Sequence, residues 1–149
     1  MPQSLSNVVL HIVFSTKNRN PLISEELLPN LHAYMAGTLK GMGCACIIVG
    51  GVFDHVHIAI QFPRTATIAN VVSELKTSST KYLKFQHKVE NFAWQSGYGV
   101  FSVSESDVPA LKTYIRNQKD HHATVDFQAE FRKLLHDHNL EFDERYVWD

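Results

Sequence analysis

The stretch Phe53-Asp-His-Val-His-Ile-Ala-Ile-Gln-Phe62 constrains this chain more than any other. Val56, Ile58, Ile60 and Phe62 alternate with His55, His57, Ala59 and Gln61, and a period of two predicts a β-strand. Successive strand side chains leave opposite faces, so the apolar set packs into a core. His55 and His57 project together from the other face. Two imidazoles on one rigid strand can donate two nitrogens to one divalent metal. Histidine on the wet face of a half-buried strand is also ordinary, and an H-x-H spacing alone marks a site in a minority of cases.

The rest of the chain supplies a frame for that strand. Leu5 to Thr16 predicts a first strand, apolar on both faces and suited to the middle of a sheet. After the basic turn Lys17–Pro21, Ser24 can cap a helix that carries Glu25 and Glu26 early and Pro29 as a kink or restart. Leu28, Leu31, Met35, Leu39 and Met42 hold its inner face, and Gly41 and Gly43 end it. Cys44 to Val49 predicts a second strand, which Gly50-Gly51 turns into the histidine strand as an antiparallel hairpin. Thr67 can cap a long helix with an inner stripe from Ile68 to Leu83. Its Lys76-Thr-Ser-Ser-Thr-Lys81 segment is either a solvated face or a phosphate-contacting one. Val100 to Val103 predicts a fourth strand, and Val108 to His122 a helix started by Asp107 and Pro109. Asp126 caps a last helix bearing Phe127, Phe131, Leu134 and Leu135. The acidic, aromatic tail Glu141 to Asp149 packs either on the body or on a partner subunit.

This order predicts an α+β fold with a ferredoxin-like (RRM-like) antiparallel sheet. Helices cover one face, and the histidines open onto the other beside the Tyr114 helix. A length of 149 residues with 44% hydrophobic content suits one domain spanning 1–149. No signal-peptide pattern or membrane-length apolar run occurs, and Cys44 and Cys46 read as reduced thiols, so a cytoplasmic protein is expected. Net charge is −1, from 14 basic and 15 acidic residues, which argues against gripping nucleic acid by bulk electrostatics. A local basic groove would need Lys17, Arg19, Lys76, Lys81, Arg116 and Lys119 to gather on one surface.

The chemistry lies on the late helix. Tyr114 and Gln118 are four apart and share a face, distinct from the Val108, Leu111 and Ile115 stripe. A helical tyrosine is usually a packing residue. With two histidines, however, the set suits attack on a phosphodiester. A divalent ion on a non-bridging oxygen neutralises the charge that repels a nucleophile. Tyr114 can then form a covalent phosphotyrosine, provided its phenol, with an ordinary pKa near ~10, is activated. Gln118 can offer its carbonyl oxygen as a third, neutral ligand. Asp54 is expected to point away from His55 on a regular strand and stays outside the ligand set; a role for His121 is open.

The chain resembles the HUH single-strand endonucleases and, more narrowly, the single-tyrosine transposases of the smallest bacterial insertion sequences. The likeness is carried by His11-Ile-Val-Phe-Ser-Thr-Lys17, Gly50-Gly-Val-Phe-Asp-His-Val-His57, Trp94 to Ser104, Tyr114-Ile-Arg-Asn-Gln-Lys-Asp-His-His122 and Tyr146-Val-Trp-Asp149. It implies a transposase that cleaves and rejoins single-stranded DNA at element ends through a 5′-phosphotyrosine. His55 and His57 match the paired histidines, Gln118 the third metal ligand and Tyr114 the nucleophile. The resemblance also implies Mg2+ or Mn2+, DNA hairpins as partners, and a homodimer in which the tyrosine helix can serve the other subunit's site. The alternatives are an HUH replication initiator or relaxase-type nickase, favoured less by the short length, and a non-catalytic nucleic-acid-binding domain of the same fold. RNA readers of that fold expose aromatics on central strands, whereas here that face presents His, His, Ala and Gln.

Overall fold

Four strands form one antiparallel sheet in a computed structural model that describes residues 2–149. They are β1 (Val9–Ser15), β2 (Ala45–Val52), β3 (His55–Gln61) and β4 (Gly99–Val103), in the spatial order β2-β3-β1-β4. That is the expected ferredoxin-like order. All seven residues of β1 are buried, as a central strand covered on both faces requires. The helices are α1 (Leu28–Gly41), α2 (Ile68–Lys81), α3 (Val108–Arg116), α4 (Gln118–His121) and α5 (Phe127–Asp137).

Alternation on β3 fills two cores. Val56, Ile58 and Ile60 face α1 and α2, joining Leu31, Met35, Leu39, Val72 and Leu75 in the larger one. Thr67 caps α2 by accepting from the Asn70 N–H. On the opposite face Val13 and Phe101 meet Phe127, Phe131 and Leu135 of α5, and Val147 and Trp148 of the tail pack against this cluster. Cys44 and Cys46 carry free thiols. No helix among the described residues is long and apolar enough to cross a membrane.

Several boundaries move from those predicted. Gly50 and Gly51 do not turn the chain; they continue β2 and pair with His57 and Val56. The turn is Phe53-Asp54, pinned where the Asp54 carbonyl accepts from Thr16 N and the Phe53 carbonyl from Ile23 N. Ser24 accepts only from Leu27 N in a separate turn, and α1 starts at Leu28 with Pro29 in its first turn. The single helix expected over 108–122 breaks at Asn117, with φ −95° and ψ 20°. Asparagine competes with the helix for backbone partners, and the break buries Gln118 while Asn117 stays exposed. The histidine face is not open. Helices lie on both sides of the sheet, and His55 and His57 are fully buried.

Two glycines allow this second layer to come close. A Cβ on Gly50 would lie 2.7 Å from both Cγ2 and the carbonyl oxygen of Ile115, so only glycine lets α3 rest on β2. A Cβ on Gly99 would lie 2.6 Å from the Phe131 ring on α5. Gly50→Ala is therefore expected to destabilise the protein by about 1–3 kcal/mol in urea unfolding. Gly37, inside α1 with open space around it, provides the contrast: Gly37→Ala should stabilise by about 0.5–1 kcal/mol. Equal effects at both positions would contradict close approach as the reason for Gly50.

Candidate metal centre and nucleophile

One buried carboxylate organises the site. Glu130 on α5 is 3% exposed. Its Oε1 accepts from His57 Nε2 at 2.9 Å and His122 Nε2 at 3.0 Å, with His55 Nε2 at 3.4 Å. Its Oε2 accepts from the Tyr114 hydroxyl and from Gln118 Nε2 at 3.0 Å. Burial opposes ionisation, but these donors outweigh it and hold the Glu130 carboxyl far below the usual range.

The two strand histidines differ in charge. Burial disfavours a proton on His55, yet its hydrogen bonds to Asp54 and Glu130 win and raise its pKa to about 9. His55 Nδ1 donates to Asp54 Oδ1 at 2.7 Å and Nε2 to Gln118 Oε1 at 3.0 Å, the pattern of an imidazolium. Asp54 thus reaches His55, contrary to expectation, because it sits in the turn rather than on the regular strand. Burial lowers His57 to about 4 and His11 to about 3, so both rings are neutral. With Glu130 ionised, His57 donates from Nε2 and accepts at Nδ1 from His11 Nε2 at 2.8 Å. Tyr114 stands edge-on to His57, ring centroids 5.6 Å apart. Burial raises its phenol pKa, and the negative Glu130 raises it further.

These residues suit a divalent cation. One donor atom from each of His55, His57, His122 and Glu130 lies within 4.8 Å of the others. The Nδ1 atoms of both strand histidines are engaged, by Asp54 and by His11, which leaves both Nε2 atoms aimed at one point. Asp54 and Glu130 bring two buried or half-buried negative charges, only one of them offset by the His55 proton. A dication replacing that proton balances the pair.

All four residues singled out in the sequence, His55, His57, Tyr114 and Gln118, meet here. Glu130, His122 and His11 were missed. Glu130 carried a signal: it falls on the apolar stripe of α5, three residues after Phe127 and four before Leu134. His11 lies between Val9 and Val13 on the same face of β1. Of the basic residues, Lys76 and Lys81 line one cavity together with Lys84. Lys76 donates to the carbonyls of Gln95, Ser96 and Gly97; Lys119 pairs with Glu25; Arg19 lies over the Trp148 ring.

To bind a cation through both Nε2 atoms, His57 must shift its proton to Nδ1 without net release and His55 must lose its Nε2 proton outright, so metal affinity should rise roughly tenfold per pH unit from neutrality to about 9. Calorimetric titration with Mn2+ at pH 7 should release about one proton. An affinity flat with pH, or no proton released, would contradict the charged His55.

The family model described as "Transposase IS200 like" matches residues 4–118. Two solved structures share the fold. A "putative transposase" from Deinococcus radiodurans R1 is 22% identical, with a TM-score of 0.61 over 79% of this chain and 98% of that one. A REP-associated tyrosine transposase bound to a REP hairpin is 14% identical, with a TM-score of 0.59 over 84% of this chain and 74% of that one. No curated protein gives a significant match.

Proposed function

The chain belongs to the IS200-like transposase family, and on that premise we propose that it cuts and rejoins single-stranded DNA through Tyr114. The observation that carries this reading is the convergence of one phenol, two strand histidines and one amide on a single buried carboxylate. It joins a nucleophile to cation donors, the two parts that phosphodiester transfer needs.

In this reading the Tyr114 oxygen attacks phosphorus as the bond from phosphorus to the 3′ oxygen breaks. The 5′ phosphate remains on tyrosine, and the departing strand takes a proton to leave a free 3′-OH. The Tyr114 hydroxyl already donates to Glu130 Oε2, which orients the phenol; with the Glu130 carboxyl held far below the usual range, the phenol proton passes on to solvent as attack proceeds. Attack of a 3′-OH on the phosphotyrosine reverses the step, rejoins DNA and restores the phenol, so no external energy source is consumed. A bound divalent cation supplies neutralisation of the phosphate charge and alignment for in-line attack. We assign His55 and His57 as its donors, with Gln118 Oε1 beside His55 Nε2 as the third and His122 and Glu130 next to them. Asp54 and His11 hold the imidazole rings in orientation. An imidazole-rich set favours Mn2+ over Mg2+, which prefers oxygen ligands.

The DNA partner in this reading is a hairpin-bearing single strand at an element end, bound by a homodimer. The REP-associated relative, solved with a hairpin, supports that class of ligand. With a net charge of −1, recognition rests on shape and local contacts rather than on overall attraction.

The test is a detergent-resistant protein–DNA adduct, formed with labelled element-end DNA and Mn2+ or Mg2+. We expect a metal-dependent adduct that is absent in Tyr114→Phe, a variant costing no more than about 1–2 kcal/mol of stability. His57→Ala should lose metal-dependent adduct as well. An adduct that persists in Tyr114→Phe would place the nucleophile elsewhere. Hairpin binding without an adduct under any metal would favour a non-catalytic binding domain.

A further inference from the structure

A cavity of about 330 Å³ opens beside the metal centre and has no role in the chemistry above. Its lining residues are Leu28, Val52, Phe53, His122 and Ala123, with the Lys119 and Glu25 ion pair completing it. His122 is shared: one of its nitrogens belongs to the donor group around Glu130, and its ring also lines this cavity. The cavity and the donor group therefore share a wall at His122.

Phe53 is unusual in its setting. It is half exposed, at 50%, in the two-residue turn Phe53-Asp54 that leads into His55. A tight turn normally takes small or polar residues. The turn is also fixed, because the Phe53 and Asp54 carbonyls are both held by backbone hydrogen bonds from the β1 end and the following loop. The ring is thus an apolar plate on a rigid mount, one residue removed from Asp54-His55. Lys119 is largely exposed, and its ion pair among the described residues is the surface contact to Glu25. It can turn to a phosphate at little cost, since surface ion pairs contribute little.

We propose that this cavity is a nucleobase subsite: it holds the unpaired base of a nucleotide flanking the phosphate at the metal centre, stacked on Phe53, with Lys119 at the neighbouring phosphate. This rests on the assignment of single-stranded DNA as the ligand. Aromatic plates bind bases without sequence demand because every base offers a π face. The apolar walls Leu28, Val52 and Ala123 hold the base edge out of water. Adjacency through His122 sets which base enters: the one next to the bound phosphate.

The test separates base from backbone and needs no cleavage. Fluorescein-labelled pentanucleotides, dA5 and an abasic pentamer with the same phosphates, are titrated with Mn2+ present. The proteins are Tyr114→Phe, Tyr114→Phe with Phe53→Ala, and Tyr114→Phe with Phe53→Trp. Phe53→Ala should weaken dA5 binding roughly five- to hundred-fold and leave the abasic pentamer unchanged. Phe53→Trp should retain or strengthen dA5 binding and show indole quenching by dA5 alone. Equal losses for dA5 and the abasic pentamer, or no loss for either, would overturn the subsite. The Trp variant guards against misfolding, because it keeps a large ring at the turn. Base-dependent binding without any covalent adduct in the unmodified enzyme would instead retain the subsite and remove the transposition chemistry.

Discussion

The structure depends on burying a negative charge. Glu130 lies between the sheet and α5, where an unpaired carboxylate would be prohibitively costly. It is tolerated because four groups donate to it and two more, His55 and His121, stand close by, drawn from β3, α3, α4 and the segment after α4. That requirement fixes where α5 packs, which way α4 faces and how near Tyr114 comes to His57. The same contacts leave Tyr114 protonated and His55 charged. The resting arrangement is thus a neutralised cluster in which one proton on His55 occupies the electrostatic place that a cation would take.

Access for the second layer comes from residues that lack side chains. Gly50 lets α3 lie against β2 opposite His57, and Gly99 lets Phe131 lie against β4. Tyr114 and Glu130 belong to the helices these contacts seat, so the site inherits its geometry from backbone approach. Packing density then holds it, because no small adjustment moves one helix without meeting the sheet.

Much of this was legible in the sequence. Alternation over Val56 to Phe62 identified β3, its inward face and the histidine pair, because a strand with one buried face has its register set by pattern. Helical spacing put Tyr114 and Gln118 together even across the break at Asn117. Glycine misled at the hairpin: Gly50-Gly51 reads as a turn, yet serves helix approach inside β2. The open histidine face was wrong for a related reason, since polar residues on that strand face helices rather than water. Glu130 and His122 lie beyond residues 4–118 matched by the family model. Their partners are far away in the sequence, so only the fold reveals why a glutamate sits on an apolar stripe. His11 was hidden in the same way, as its partner is on the neighbouring strand.

Tyr114, His55, His57 and Glu130 meet at one point within a single chain, and the function proposed above takes the site as built in cis. The most direct measurement mixes two inactive proteins, Tyr114→Phe and His57→Ala, and asks whether the adduct returns. The account predicts none, because each chain lacks one part of its own site. Adduct restored on mixing would mean that the tyrosine of one subunit serves the histidines of another, and would contradict the arrangement described.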